Sequence, residues 1–309
     1  MKLFQFATAA VLGLYLTACS SSDEGAPAES AAAASPAAES PAAAGETRRT
    51  RLIRVLAVQS DELKARYGAR HPQETLEFFG LEPGMTVVEV LPGRGWYSPI
   101  LVGFLGGDGH LIGADYPLSL WPNFSFATEE FIAGRSSWVD TWPENAEAWR
   151  GDDSATVAAT RIGEFADETA GTVDAILFIR ALHNLNRFEP VGGFRTQALE
   201  DAMTVLKPGG VVGVVQHEAP ADSADDWADG SRGYLKKASV IAFFEEAGFE
   251  LVAESDVNAN PKDVPGEEDI VWRLPPSLNT SKEDPELRAQ YEAIGESNRM
   301  TLLFRKPAG

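Results

Sequence analysis

The sequence predicts an α/β fold, one mostly parallel sheet with helices on both faces. Three observations predict it. Apolar runs of strand length alternate with amphipathic helical stretches from Pro72 onward. The run Val87-Val88-Glu89-Val90-Leu91 leads into the turn Pro92-Gly93-Arg94-Gly95 and a helix-compatible segment. A second run, His110-Leu111-Ile112-Gly113-Ala114, ends on an acid, Asp115. Strand, glycine turn, helix, strand and acid is the order with which a chain binds a nucleotide at the edge of a parallel sheet. The glycines let the backbone approach a ligand whose space a side chain would occupy. An acid at the next strand tip accepts hydrogen bonds from two ribose hydroxyls.

The elements follow in order. Pro72 to Phe79 reads as a helix with proline in its first turn and Gly80 at its end. Thr86 to Leu91 is the first strand, His110 to Ala114 the second, and Thr160 to Glu164 a weaker third. Val173 to Ile179 is a strong fourth, and the valine-rich Val211 to Gln216 reads as a fifth buried on both faces. Leu251 to Glu254 and Met300 to Phe304 are the sixth and seventh. Ala198, Leu199, Ala202, Met203 and Leu206 share one helical face, and Lys207-Pro208-Gly209-Gly210 stops that helix. Val240, Ile241, Phe243, Phe244 and Ala247 form another face, ended by Gly248. Two stretches break the alternation: Tyr116 to Trp149, rich in tryptophan, and Asp256 to Ser297, rich in proline. Excursions of that length inside a compact domain are usually lids or binding loops.

The N-terminus stands outside this pattern. Lys2 precedes an apolar run from Leu3 to Leu16 that has a secretory leader's composition and is too short to span a bilayer. It ends in Leu16-Thr17-Ala18-Cys19, which resembles a bacterial lipobox. Residues 1–18 are then a signal peptide, and Cys19, the chain's single cysteine, is the lipidated first residue of the mature protein. Ser20 stands where an aspartate often signals inner-membrane retention, so the expectation is an exported, periplasm-facing lipoprotein of the outer membrane. Residues 19–46 are an Ala/Ser/Pro/Glu tether that cannot bury a core, and residues 47–309 form the folded domain. Lipidation of Cys19 leaves no thiol for disulfides, nucleophilic catalysis or zinc, and the scattered histidines have no metal spacing. A net charge of -20 argues against nucleic-acid binding and against electrostatic docking on anionic lipid, which leaves the lipid anchor as the membrane contact. Nothing reads as a dimer seam.

The motifs together resemble the class I S-adenosylmethionine-dependent methyltransferases, whose Rossmann-like sheet has seven strands, mostly parallel with the last antiparallel. Glu89 to Tyr97, Arg180-Ala181-Leu182-His183-Asn184, Val214-Val215-Gln216-His217 and Arg299 to Pro307 are similar to a bacterial group known as predicted methyltransferases, several of them exported. The resemblance covers residues 60–309 and implies S-adenosyl-L-methionine as cofactor. It implies Glu89, Pro92, Gly93 and Gly95 beside the methionine and ribose, Asp115 on the ribose hydroxyls, and Glu164 and Phe165 near adenine. It places Arg180 to Asn184 beside the transferable methyl, with Arg180 among the cofactor contacts. One departure is that the broad motif has a glycine where Leu91-Pro92 stands, a pair the narrower group shares in its proline.

Methyl transfer from a sulfonium needs an in-line nucleophile and a destination for its proton, so positioning supplies most of the rate and a base helps. His183 is the expected base or substrate contact, against a histidine merely hydrogen-bonded to a loop. Asn184 reads as orienting substrate or capping a turn, and His217 as a pocket group or a strand-end surface residue. Trp96 and Tyr97 read as cleft wall or, preferentially, as packing on the sheet. The two functions left open are a methyltransferase for a small or medium organic acceptor and a non-catalytic binding module of the same fold at the cell surface. The enzyme expectation requires an open hollow at Gly93–Gly95 with the Asp115 carboxylate facing it.

Overall fold

The structure, a computed structural model, describes residues 46–309; the expected signal peptide, Cys19 and the expected tether through residue 45 lie outside the described residues. The strands are β1 (Thr86–Val90), β2 (His110–Asp115), β3 (Thr156–Arg161), β4 (Val173–Ile179), β5 (Leu206–His217), β6 (Glu250–Ser255) and β7 (Arg299–Arg305). They form one seven-stranded sheet in the order β3-β2-β1-β4-β5-β7-β6. β1 pairs in parallel with β2 and β4, β2 with β3, and β4 with β5. β7 runs antiparallel between β5 and β6. This is the expected seven-stranded sheet, mostly parallel with the last strand antiparallel.

Side chains leave each strand alternately to its two faces. Val88, Val90, Ile112, Ile176, Phe178 and Val214 enter one buried cluster with Phe244 and Phe304. Val87, Leu111, Ala175, Leu177 and Val215 enter the other with Leu52 and Ile100. The helix Ser98–Leu105 is apolar all round because it is buried between the sheet and the N-terminal helix Arg48–Ala57. At their contact, a Cβ on Gly103 would stand 3.1 Å from Val55 Cγ1. The helices Pro72–Phe78, Phe194–Val205 and Lys237–Glu246 lie where periodicity places them.

The third strand differs from expectation, occupying Thr156–Arg161 instead of 160–164. Gly163 takes a φ of 83° and gives its N–H to Asp201 Oδ2 at 2.6 Å, so the ladder cannot extend that far. The Lys207-Pro208-Gly209-Gly210 segment is part of β5 rather than a free turn, since Gly209 and Lys306 bond at 3.0 Å and Lys306 and Gly210 at 2.9 Å. The tryptophan-rich excursion folds into helices Glu129–Ser136 and Trp138–Ala146. The second excursion is held by a buried pair, Arg273 Nη2 to Asp263 Oδ1 at 2.8 Å, to which Tyr234 adds its hydroxyl.

Candidate active site

The chain winds outward from β1 through β2 to β3, then crosses back to β4 and winds the other way. The crevice of such a sheet opens at the carboxyl ends of β1 and β4. Each of these strands is followed at once by a left-handed residue, Leu91 at φ 52° and Arg180 at φ 58°. Each N–H still bonds to the neighbouring strand, Leu91 to Ala114 O and Arg180 to Val215 O, both at 2.7 Å. A non-glycine residue in that region costs about 1–2 kcal/mol, and such strain concentrates at functional sites. Leu91 thus adopts the backbone shape for which the broad methyltransferase motif uses glycine.

The turn continues through buried Pro92, exposed Gly93 at φ 62° and buried Gly95 at φ 74°. Gly95 lies against the Trp149 indole, where a Cβ would stand 2.6 Å from Cη2. Glu89, near the end of β1, is buried and accepts a 2.6 Å hydrogen bond from Ser98 Oγ. Burial pushes its carboxyl up to about 7 against the opposing effects of Ser98 and the Arg180 charge.

Asp115 ends β2 with no exposed surface, and Arg135 of helix Glu129–Ser136 is ion-paired with it. The Arg135 guanidinium lies over Trp121 at 4.6 Å and Trp138 at 5.3 Å. Arg161, at the end of β3, pins the same helix end by donating from Nη2 to Ser136 O at 2.7 Å. Burial raises the Asp115 carboxyl while Arg135 opposes the rise. The open hollow expected over Gly93–Gly95 and Asp115 is therefore filled by the protein's own Arg135 and Trp149. The physical reason is that a carboxylate removed from water needs a charged or hydrogen-bonding partner, and the tryptophans that flank Arg135 favour a cation there. Glu164 is exposed and pairs with Arg161 at 3.0 Å, and Phe165 packs partly buried against the core.

On the other side of the crevice, His183 and Asn184 lie in helix Leu182–Arg187 and His217 ends β5. The structure brings the two imidazoles together with ring centroids 5.6 Å apart. His183 Nδ1 is 3.4 Å from Gln216 Oε1, and His217 Nδ1 is 2.6 Å from Ser297 Oγ. Burial pulls His183 down to about 4, with Arg180 and Arg187 adding to it and Gln216 opposing. Burial, His183 and Arg180 pull His217 well below its usual value. Both rings are neutral at neutral pH, able to accept a proton but weakly basic. Asn184 lies inside its helix with a buried Oδ1 lacking a hydrogen bond, so it caps nothing. Trp96 and Tyr97 pack against each other at 4.7 Å, and the Arg70 guanidinium covers Trp96 at 4.5 Å.

Several residues of the crevice escaped the sequence reading. Glu296 accepts from Arg66 Nε at 2.7 Å and Arg70 Nε at 3.2 Å, and Arg299 Nη1 stands 3.4 Å from it. Arg299 opens one of the motifs quoted above, and Arg135 and Trp149 lie in the tryptophan-rich excursion expected to form a lid or binding loop, but no local pattern marks Arg66, Arg70 or Glu296. Among the described residues no group of three His, Cys, Asp or Glu is placed to hold a metal. Surface hollows of about 790 Å³ and 660 Å³ are lined by other residues, around Trp227 and Glu267 and around Arg195 and Phe243.

No family model matches the chain, and no curated protein matches its sequence. Solved structures are similar to it in fold. The cyclase SpnF is 16% identical, with 78% of this chain and 81% of that chain covered and a TM-score of 0.45. A SAM-dependent methyltransferase from Aquifex aeolicus is 19% identical, with 67% and 93% covered and a TM-score of 0.41. Phosphoethanolamine N-methyltransferase 2 from Haemonchus contortus, solved with S-adenosyl-L-methionine, is 15% identical, with 77% and 52% covered and a TM-score of 0.42. The fold assignment stands on the strand order and directions described above.

Proposed function

We propose that the chain is an S-adenosylmethionine-dependent methyltransferase for a small or medium organic acceptor, with Arg135 as a latch on Asp115. The observation that carries the reading is the juxtaposition at the sheet edge. Leu91 bonds to Ala114, which sets the glycine turn directly beside Asp115, while Arg180 and His183 follow the adjacent strand β4. Asp115 would hold the ribose hydroxyls in exchange for Arg135, and the turn at Gly93 would face the methionine end. When bound, the cofactor supplies an electrophilic methyl on a sulfonium. The chain's part is to orient the acceptor and to take up a proton at the neutral imidazole of His183 or His217.

The latch is built to open. Helix Glu129–Ser136 buries none of its residues; Phe131 within it is 36% exposed and Phe126, just before it, 59%. Segments with so few buried contacts open at the low end of local unfolding free energies. Titration of S-adenosylmethionine into the full chain by calorimetry tests the proposal: heat of binding is expected in the wild type and its loss in Asp115→Asn. Absence of binding at millimolar cofactor, in the wild type and in Arg135→Ala alike, would end it.

That failure would leave the second reading, a non-catalytic binding module. It is favoured by the seating of Arg135 and Trp149 where an adenosyl group would lie. It is also favoured by the proposed export through the Cys19 lipobox to a compartment remote from cytoplasmic cofactor synthesis. Palmitate incorporation that disappears in Cys19→Ser is the expected result for the lipoprotein part of the proposal.

A further inference from the structure

The arginines around Glu296 carry more positive charge than the protein neutralises. One carboxylate serves Arg66, Arg70 and Arg299. Arg70 is 2% exposed and keeps a buried Nη1 with no hydrogen-bond partner. Arg180 follows the tip of β4, partly buried and near enough for its charge to act on Arg70, and its guanidinium has no hydrogen bond or ion pair among the described residues. Burial and the charges of Arg299 and Arg66 pull it down to about 10, and burial with Arg180 pulls Arg70 down to about 9. Arginine nevertheless stays protonated at neutral pH, so the surplus remains. The other acid at hand, Glu89, is itself only partly ionised near neutrality because burial pushes it up to about 7. This excess of cations stands in a chain whose net charge is -20.

We infer that Arg180 and Arg70, backed by Arg66 and Arg299, form a receptor for an acidic acceptor, one that carries a phosphate or a pair of carboxylates. The inference rests on the methyltransferase reading for the word acceptor, and on the arginines alone for the anion. The planar guanidinium fork matches the two oxygens of such groups. The cofactor does not meet the same need. Its amino-acid end carries an ammonium beside its carboxylate, and its sulfonium adds a further positive charge. An acid with two negative charges offsets most of the surplus that Glu296 leaves. An anion held here also faces His183 and His217, whose basicity Arg180 depresses, together with Arg187 for His183 and with Arg299 and Arg70 for His217. Neutralising those cations raises imidazole basicity, so seating the acid prepares an imidazole to take the proton that a hydroxyl or amine elsewhere on the acceptor loses as it bonds to the methyl and the sulfonium's bond to that methyl breaks.

The test is calorimetry on the full chain with inorganic phosphate, citrate and S-adenosylmethionine as separate probes. The wild type is expected to bind phosphate or citrate, and Arg180→Gln to weaken that binding at least tenfold. Binding of S-adenosylmethionine should weaken by clearly less than that of the anions, and Arg180→Gln should melt no earlier than the wild type, since Arg180 has no partner to lose and its charge adds to the surplus. Arg180→Lys, which keeps the charge but not the fork, should fall between. The inference is overturned if the wild type binds neither anion. It is equally overturned if Arg180→Gln weakens S-adenosylmethionine as much as the anions, which would assign the cluster to the cofactor's carboxylate. Anion binding through Arg180 in a chain that never binds S-adenosylmethionine would uphold the receptor while removing the methyltransferase reading.

Discussion

The Asp115 carboxylate and the Arg135 guanidinium close on each other at the carboxyl edge of the sheet, one from the tip of β2 and the other from a helix with no buried residue. The strand end is fixed by the sheet, so the helix is the partner able to leave. In Arg135→Ala the acid loses its only ion-pair partner among the described residues, and leaving a buried charge unpaired costs about 3–5 kcal/mol. The free protein should therefore melt earlier. A ribose would no longer compete with Arg135, so S-adenosylmethionine should bind at least tenfold more tightly, or about 1.4 kcal/mol. Calorimetry and melting curves with and without cofactor check both effects. Unchanged affinity would mean that Arg135 does not guard the site.

The legible and illegible parts of this site divide by sequence distance. The strands, the glycine turn and the positions of Asp115, Arg180 and His183 follow from local pattern, because apolar periodicity and turn chemistry act over a few residues. The third strand ends earlier than the pattern predicts because its apolar signal is weak and the Gly163 N–H donates to Asp201 Oδ2 instead of to a neighbouring strand. Arg70 and Glu296 are 226 residues apart and meet only through the folded sheet. The same holds for the Trp149 cover on Gly95. Sequence could mark where a ligand would be met, but not which of the chain's own side chains stand there first.

Glu89 should make stability fall as pH rises. Its folded carboxyl lies at about 7 because burial disfavours the charge, against an ordinary 4.5. The folded state thus binds the proton more tightly. Below 4.5 both states are protonated and the benefit is complete; it is lost as pH climbs through 7, amounting to about 3 kcal/mol by pH 8. Glu89→Gln keeps an oxygen for Ser98 and removes the charge. It should match the wild type in melting temperature at pH 4.5 and exceed it by several degrees at pH 8. A constant gap across that range would refute the burial argument.

His183 acts in the opposite direction. Its folded imidazole lies at about 4 against 6.5, burial being the main cause. Above 6.5 neither state holds the proton and the group is neutral to stability. As pH falls below 6.5 the unfolded chain takes up a proton that the folded chain refuses, so stability declines until about pH 4, by about 3 kcal/mol. His183→Gln should flatten the melting temperature between those limits. Imidazole resonances of His183 should stay at their neutral positions until the pH nears 4, and an ordinary midpoint would refute the burial assigned to this ring.

The cover over the glycine turn can be tested by a double-mutant cycle on Gly95 and Trp149. An alanine at position 95 must hold a φ of 74° and place its Cβ 2.6 Å from the indole. Backbone strain and overpacking together should destabilise Gly95→Ala by about 3 kcal/mol. In a Trp149→Ala background the clash is absent, and only the backbone part, about 1 kcal/mol, should remain. The coupling of about 2 kcal/mol is well above the few tenths expected for residues that do not touch. Additive losses would show that Trp149 does not rest on Gly95 in solution. Because an adenosyl group would need this same space, the coupling should shrink when melting is repeated in saturating S-adenosylmethionine. The indole must then have left Gly95 before the cofactor could settle.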